Sequence, residues 1–167
     1  KGANWIPSDA FLSTLNRARY IKLLQSAADA NMNMIRLWGG GMYESEEFYD
    51  TCDRLGLLVW HDIMLACSTY PAEEWFYQSL KQELEYQIPR LKSHPSIALW
   101  CGDNEDLGAI SWYEVSRNNP TKYIVAYDRI NNGVQAKTIK KLDPSRTFWP
   151  SSPCGGPGNY EDNWHKD

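Results

Sequence analysis

The chain has 167 residues, of which 23% are charged and 43% hydrophobic, and its formal net charge is -4. This composition fits one globular domain with a packed core and excludes wholesale disorder. Nucleic-acid binding depends on clustered Lys and Arg, and only Lys140 and Lys141 are adjacent, so we expect no nucleic-acid partner. No run of about 18 apolar residues occurs, which predicts that the chain does not span a membrane.

Cysteine and aromatic usage narrows the class of protein further. The four cysteines are Cys52, Cys67, Cys101 and Cys154. They form no CxxC pair, so we expect no zinc ribbon, and they do not indicate a cellular compartment. Three of them lie in or beside apolar segments, where a buried thiol is usual. Eight Trp and ten Tyr offer flat apolar faces that suit sugar rings as well as cores and interfaces.

Apolar runs that end in turn or polar residues predict five strands, at 1–7, 32–41, 55–64, 96–102 and 146–153. Their apolarity is continuous rather than alternating, which is typical of strands covered on both faces of a parallel sheet. Helical spacing predicts four intervening helices, at 14–30, 45–55, 72–92 and about 121–142. We expect Pro89 to kink or shorten the third helix, and Asn132-Gly133 to be a weak point in the fourth.

Strands that alternate with helices, without hairpin signals, predict a parallel α/β fold. Five strands and four helices fit the first part of a (β/α)8 (TIM) barrel, which has about 250 residues when complete. An open doubly wound sheet is the competing architecture, although no GxGxxG follows the first strand. We assign a partial barrel domain to 1–153 and an irregular tail to 154–167, where Gly, Pro and polar residues show no periodicity.

In such a barrel, functional residues lie at the carboxyl ends of the strands. Polar and aromatic residues gather at four of these predicted ends: Arg36, Trp38 and Glu44; Trp60, His61 and Asp62; Asp103, Asn104 and Glu105; Ser151 and Ser152. A purely structural barrel does not need this repetition, so this edge is the candidate functional site.

Structural roles compete with functional ones at several of these positions. Asp62 is as well explained by pairing with Arg36 as by binding a substrate, and Glu44 suits the first turn of a helix. An isolated His61 more often satisfies a local hydrogen bond than acts as a base. The three histidines show no metal-ligand spacing, so we expect neither a metal nor another cofactor.

Glu105 is harder to explain by structure alone. It follows the apolar run 96–102 and stands beside Asp103 and Asp106. Burial beside like charges is the condition that lets a carboxyl group work as a general acid near neutral pH. Asn104, directly before it, is suited to binding a substrate hydroxyl.

Several motifs, in order from residue 1 to about 153, resemble the catalytic barrel of glycoside hydrolase family 2, most closely its β-mannosidase branch. They are KGANWIP, NMIRLWGGGMYESEEFYDTCDRLGLLVWHDIM, HPSIALWCGDNE and LDPSRTFWPSSP. The resemblance implies a retaining exo-glycosidase acting on terminal β-linked sugars, with β-mannosides foremost and β-galactosides as the second class. It implies that Glu105 is the general acid/base and that Asn104 binds substrate beside it.

The resemblance also implies that Trp38, Glu44 and Asp62 line the sugar subsite, with Trp112 as a looser match on the aglycone side. We assign Arg36 and Trp60 to substrate binding from their positions at strand ends. In one departure from the family, Asp103 stands where Asn is usual, so it either disturbs the acid or serves as a second carboxylate.

A second departure is that the family nucleophile, a Glu at the end of the seventh strand, falls beyond the end of this sequence.

Three hypotheses about function follow. The chain is part of a catalytic domain whose nucleophile lies elsewhere, or a stand-alone half barrel active as a homodimer or larger homo-oligomer through its open edges. In the second case Glu105 works against Asp62, Asp103 or Glu44. The third hypothesis is a non-catalytic carbohydrate-binding or interaction module. Each predicts a carbohydrate partner with a terminal β-glycoside.

Overall fold

The computed structural model describes residues 1–161. Within them, five strands form a parallel sheet whose spatial order follows the chain order: β1 (Gly2–Trp5), β2 (Met34–Leu37), β3 (Leu58–Asp62), β4 (Ile97–Cys101) and β5 (Thr147–Trp149). The five predicted strands and their parallel arrangement are confirmed. An order without reversal is that of a barrel wall, whereas a doubly wound sheet changes direction at its centre, so the doubly wound alternative is wrong.

The strand register aligns the carboxyl ends that matter for function. Asp62 of β3 pairs with Cys101 of β4, and Cys101 pairs with Trp149 of β5. On the other side, Arg36 of β2 pairs with Trp60 of β3. Residues that follow these positions along each strand therefore emerge at one edge of the sheet.

Helices connect the strands: α1 (Arg17–Asp29), α2 (Glu46–Leu55), α3 (Glu74–Leu91), α4 (Asp106–Trp112), α5 (Glu114–Arg117), α6 (Pro120–Asp128) and α7 (Lys137–Leu142). A short 3-10 helix, Leu12–Thr14, precedes α1, and a π-helical segment, Arg129–Ala136, joins α6 to α7. No helix within residues 1–161 has the length and apolarity needed to cross a membrane.

The four predicted helices correspond to α1, α2, α3 and the continuous run from α6 to α7. Helices α4 and α5 were not predicted, because seven and four residues are too few to display a helical period. Pro89 does not end α3, which continues to Leu91. The weak point predicted at Asn132-Gly133 lies inside the π-helical segment, where the ordinary helical hydrogen bonding is interrupted.

The main core lies between the sheet and the first three helices. Helix α3 shows how the sequence builds it, because its buried side chains recur every three or four residues: Leu80, Leu84, Ile88 and Leu91. They pack with strand residues such as Ile35, Val59 and Ile97. Burial of each such side chain contributes about 1.5–3 kcal/mol, so this layer fixes the sheet that carries the polar edge.

A second, smaller core includes part of the predicted tail. Residues 154–161 form no helix or strand. Even so, Cys154 is buried against Leu107 and Tyr127, and the Tyr160 hydroxyl donates a hydrogen bond to Asp128 Oδ1. The tail is thus irregular but packed over this stretch. Positions 162–167 of the predicted tail lie outside the described residues, and the domain boundary at 153 stays a prediction.

Gly102, immediately after β4, is enclosed by backbone and amide groups. Its N–H donates to the Trp149 carbonyl at 2.8 Å, and Gln135 Nε2 donates to its carbonyl at 2.7 Å. A Cβ atom at this position would lie 2.3 Å from the Pro150 carbonyl oxygen and 2.5 Å from Asn131 Nδ2. Only glycine fits between the two neighbouring segments.

We therefore expect Gly102→Ala to lower the free energy of unfolding by about 1–3 kcal/mol, the usual cost of overpacking. Gly133→Ala is the matched control, since its Cβ would meet no heavy atom closer than 3.8 Å. Thermal or urea unfolding of the two variants measures the difference. Equal stability of the two variants would contradict the packing at Gly102.

Candidate active site

Asp62, the last residue of β3, links three neighbours at the carboxyl edge of the sheet. Its carboxylate accepts hydrogen bonds from Arg36 Nη2 at 2.8 Å, from the Gly39 N–H at 3.0 Å and from Trp60 Nε1 at 2.9 Å. The side chain is 0% exposed. Burial raises the pKa of Asp62, while the Arg36 charge and the donors act in the opposite direction. The predicted pairing with Arg36 is confirmed, and substrate binding by Asp62 stays a prediction.

Arg36 carries this network to the turn after β4. The same Nη2 that bonds Asp62 donates to Asn104 Oδ1 at 2.9 Å, and the guanidinium lies 5.8 Å from the centre of the Trp60 ring. Four of the predicted site residues therefore form one hydrogen-bonded cluster: Arg36, Trp60, Asp62 and Asn104.

Asn104 is held by its backbone as well as by its side chain. It forms isolated parallel bridges with Ala66 on one side and Ser152 on the other, and its N–H donates to the Leu65 carbonyl at 3.0 Å. These bonds extend the sheet pairing by a few residues beyond β4. The amide of Asn104 is consequently presented at a fixed position at the sheet edge.

Glu105 follows in a left-handed backbone conformation, with φ of 66°, and its N–H donates to the Ser152 carbonyl at 3.0 Å. One carboxylate oxygen, Oε2, accepts a hydrogen bond from Cys67 Sγ at 3.3 Å. The residue is half-buried. A half-buried carboxyl group on a fixed turn can exchange a proton with a bound molecule, whereas a fully enclosed one cannot reach it.

Glu44 is placed differently from Glu105. It is 2% exposed, and its two oxygens accept hydrogen bonds from Trp5 Nε1 at 2.9 Å and from the Tyr20 hydroxyl at 2.6 Å. These contacts connect the loop after β2 to β1 and α1, which favours a role in positioning Trp5. Direct binding of a sugar by Glu44 stays a prediction.

His61 is fully buried, and its two ring nitrogens have partners. Nδ1 lies 2.8 Å from the Asp62 carbonyl oxygen, which can only accept, so Nδ1 carries the hydrogen. Nε2 then accepts from the Tyr49 hydroxyl at 2.8 Å. Burial lowers the pKa of His61 to about 4, so the ring is neutral near pH 7. This supports the interpretation of His61 as a structural residue.

The three tryptophans assigned to substrate binding lie in different settings. Trp60 is half-buried beside Arg36, and Trp38 is half-buried just after β2. A Cβ atom at Gly40 would lie 2.1 Å from the Trp38 ring, so the absence of a side chain at Gly40 leaves room for that ring. Trp112 stands at the end of α4 and is 37% exposed. Their contacts with a sugar stay predictions.

Asp103 and Asp106 form a buried pair on either side of the Asn104-Glu105 turn. Asp103 is 1% exposed and accepts hydrogen bonds from Ser151 Oγ, from the Asp106 N–H and from Asn131 Nδ2. Asp106 is 5% exposed and accepts from the Ser68 N–H at 3.3 Å. The contacts favour a structural role for Asp103, and its role as a second catalytic carboxylate stays a prediction.

Burial is the main cause that raises the pKa of Asp103 to about 7, and the Asp62 charge adds to it, while the donors oppose it. Burial followed by the Asp103 charge raises the pKa of Asp106 well above its usual range. Two buried carboxyl groups on one short turn disfavour each other's ionisation, so the pKa values of both lie above the usual range of Asp.

One group of side chains among residues 1–161 has ligand atoms close enough together for a metal ion: Asp50, Asp53 and His94, within 4.8 Å of one another. His94 precedes β4, so the group lies at the opposite end of the strand from Glu105. The nitrogens of His94 already contact Asp53 at 2.7 Å and Glu46 at 3.2 Å. These contacts favour an ion-pair cluster that joins α2 to the segment before β4.

Sequence reasoning missed two participants in the site. The sequence analysis gave Cys67 no role in the site, yet its thiol contacts Glu105 and Asn104. Asn131 lies in the π-helical segment and bonds Asp103 from there. The position of Cys67 five residues after β3 was an available signal, because loops after neighbouring parallel strands meet at one edge. No local signal pointed to Asn131.

The raised pKa of Asp103 gives a prediction about stability. The value is about 7 in the folded chain, against about 3.9 in an unfolded one. Between pH values of about 3.9 and 7 the folded state binds more protons at Asp103 than the unfolded state does. The free energy of unfolding is therefore unaffected by Asp103 at low pH and decreases as the pH rises toward 7. We expect Asp103→Asn to gain stability relative to wild type as the pH rises from about 5 to about 8.

Thermal unfolding of wild type and Asp103→Asn across that pH range measures the effect. Asp29→Asn makes the same chemical change at an exposed position and is the matched control. A difference between Asp103→Asn and wild type that does not change with pH would show that Asp103 ionises normally in the folded chain.

Comparisons with known proteins agree with this geometry. The chain is 45% identical over 166 residues to "Beta-mannosidase" of Mus musculus, which covers 98% of the chain and 19% of that protein. It is 38% identical over 176 residues to "Beta-mannosidase B" of Thermothelomyces thermophilus, with 96% and 20% covered. The chain thus spans about a fifth of the length of these curated relatives. No family model matches it.

Solved structures show the same relation. The β-D-mannosidase of Dictyoglomus thermophilum superposes with a TM-score of 0.82 and 41% identity, covering 94% of this chain and 19% of that one. A GH2 β-galacturonidase of Eisenbergiella tayi superposes with a TM-score of 0.61 and 26% identity, covering 88% and 24%. The five parallel strands are therefore part of a TIM barrel of this kind. In sequence and fold, the chain is a β-mannosidase-like segment of glycoside hydrolase family 2.

Proposed function

We propose that this chain supplies the general acid/base half of the active site of a retaining exo-glycosidase that hydrolyses terminal β-mannosides, with Glu105 as the acid/base. The observation that carries the proposal is the contrast among carboxylates at the sheet edge. Asp62, Asp103 and Glu44 are enclosed and bonded on their oxygens. Glu105 is half-buried on a turn fixed by backbone hydrogen bonds.

In this mechanism, Glu105 protonates the glycosidic oxygen as the leaving group departs. It then removes a proton from the water that hydrolyses the glycosyl-enzyme intermediate. Asn104 is suited to bind a sugar hydroxyl, because its Oδ1 is held by Arg36 and its backbone is paired on both sides. Trp38 and Trp60 offer half-buried rings to the apolar face of the sugar.

The nucleophile of the retaining reaction has to stand about 5–5.5 Å from the acid/base carboxyl group. Three carboxylates are poor candidates, because each is buried and would have to give up its hydrogen bonds to reach a sugar: Asp62, Asp103 and Glu44. We therefore propose that the nucleophile comes from outside this chain. β-Mannosides are favoured as substrates by the names of the similar proteins, and β-galactosides are the second class.

Exchange of Glu105 for Gln tests the proposal in the full natural reading frame that contains this chain. We expect kcat/KM for a β-mannoside with a poor leaving group, such as the methyl glycoside, to fall by about 10²–10⁴-fold, the usual contribution of a general acid. A 2,4-dinitrophenyl β-mannoside, whose leaving group needs little protonation, should lose much less in kcat/KM.

Glu85→Gln is the matched control, because Glu85 is exposed on α3 and its ion pair with Lys81 is weak at 3.9 Å. Circular dichroism establishes that both variants fold. Equal losses for the two substrates, or no loss at all in Glu105→Gln, would remove Glu105 from the acid/base role.

The stand-alone half barrel and the non-catalytic binding module remain the alternatives. Both require the open edges at β1 and β5 to be covered, since unpaired strand edges favour association. We expect the isolated chain to form a dimer or larger homo-oligomer at micromolar concentration, as measured by sedimentation velocity. A monomer there would count against edge association, and sugar binding by the chain without hydrolysis would favour the binding module.

A further inference from the structure

Cys67 lies in the loop after β3, beside the turn that carries the candidate acid/base. Its N–H donates to the Asn104 carbonyl at 2.8 Å, and its own carbonyl accepts from the Tyr113 hydroxyl at 2.9 Å. The backbone of Cys67 is therefore tied to the Asn104-Glu105 turn and to the residue that follows α4. The thiol is held at a defined place rather than on a free loop.

The thiol has two polar neighbours, and their chemistry fixes its orientation. Asn104 Nδ2 lies 3.3 Å from Sγ and can only donate to it. Glu105 Oε2 lies 3.3 Å from Sγ on a group that accepts when it is ionised. The single S–H hydrogen is therefore directed at the Glu105 carboxylate, and the sulfur accepts from the Asn104 amide.

Both residues of this contact adopt the left-handed backbone conformation that non-glycine residues rarely use. The φ angle is 56° at Cys67 and 66° at Glu105. Such conformations persist only where surrounding contacts hold them, and they concentrate at functional sites. The two side chains meet at 3.3 Å between Sγ and Oε2, so both residues of the thiol-carboxylate contact have a backbone conformation that their surroundings must hold.

The other cysteines give a useful contrast. Cys52 is fully buried on α2 among apolar side chains of the main core.

Burial and the Glu105 carboxylate raise the pKa of the Cys67 thiol, so the thiol keeps its hydrogen near neutral pH. It can therefore act as a donor over the pH range in which a glycosidase works.

We propose that Cys67 is a positioning residue: its S–H holds Glu105 Oε2 and thereby aims Oε1 at the glycosidic oxygen. The inference rests on the proposed acid/base role of Glu105. Loss of the thiol hydrogen leaves the carboxyl group chemically intact but free to rotate, so protonation of the leaving group becomes less efficient. Asn104 loses its Nδ2 contact with Sγ, but it keeps its Oδ1 bond to Arg36 and its two backbone bridges, so we expect sugar binding to change little.

The test compares Cys67→Ala, Cys67→Ser and Cys52→Ala with wild type in the full natural reading frame. For Cys67→Ala we expect kcat/KM for methyl β-mannoside to fall about tenfold, the effect of one weak charge-assisted hydrogen bond. We expect kcat/KM for the 2,4-dinitrophenyl glycoside to change less than about twofold, because that leaving group needs little acid. KM for the methyl glycoside should stay near the wild-type value.

Cys67→Ser retains a hydroxyl donor and should recover most of the activity on methyl β-mannoside, while Cys52→Ala should retain the wild-type ratio of the two substrates. Methyl methanethiosulfonate gives a second measurement on folded wild-type protein, because it replaces the thiol hydrogen by S–CH3. It should reproduce the leaving-group dependence of Cys67→Ala and have no effect on Cys67→Ser.

A loss that is equal for both substrates in Cys67→Ala and in the thiol-blocked protein would overturn the inference, as would unchanged activity in both. Should Cys67→Ala fail to fold, the thiol-blocked wild type decides between these outcomes. The Glu105→Gln variant shows which of the two proposals fails. If its loss of activity depends on the leaving group and that of the Cys67 variants does not, only the role of Cys67 is wrong. If the loss in Glu105→Gln does not depend on the leaving group, the acid/base role of Glu105 is wrong.

Discussion

The buried carboxylate of Asp62 is the constraint on which the candidate site depends. It ties β2 to β3 through Arg36, fixes the glycine turn after β2 through the Gly39 N–H, and orients the Trp60 ring. Because Arg36 also donates to Asn104, the same charge sets the position of the turn after β4. Removal of one partner would leave a buried charge unpaired, which is costly. The site is thus organised around a salt bridge whose carboxylate is fully buried.

Much of this arrangement could be predicted from the sequence, for two physical reasons. Continuous apolar runs identify strands that are covered on both faces, and in a parallel sheet the residues after such runs converge at one edge. This predicted that Asn104 and Arg36 lie at the same edge, where they are hydrogen-bonded, and Glu105 is the next residue along the chain. The pairing of Asp62 with Arg36 followed from their chemistry at neighbouring strand ends.

The rest depends on tertiary contacts that no local pattern encodes. The burial of Asp103 follows from Ser151, 48 residues away, and from Asn131, 28 residues away. The enclosure of Glu44 depends on Trp5 and Tyr20 from earlier elements. Helices α4 and α5 are too short to show a period, and the role of Cys67 requires two left-handed residues to face each other. Local propensity carries little information about any of these.

Carboxyl groups have two different roles within residues 103–106: two of them stabilise the turn, and one is the candidate acid/base. Asp103 and Asp106 are enclosed, burial raises the pKa of both carboxyl groups, and their hydrogen bonds anchor the turn. Glu105 lies between them on the accessible side. The backbone differs as well, because Glu105 adopts the left-handed conformation, with φ of 66°, whereas Asp103 and Asp106 do not.

The π-helical segment between α6 and α7 places a constraint on the length of the chain as well as its composition. A π-helix holds more residues per turn than an α-helix, so deletion of one residue here would restore ordinary helical hydrogen bonding. It would also change the directions of the side chains inside the segment, because each residue of an α-helix turns the chain by about 100°, more than a residue of a π-helix does. Asn131 and Gln135 now face the end of β4 while Ile139 faces the main core. A one-residue deletion would break that phase, so homologous proteins that keep this site should tolerate substitutions in the segment far better than gaps.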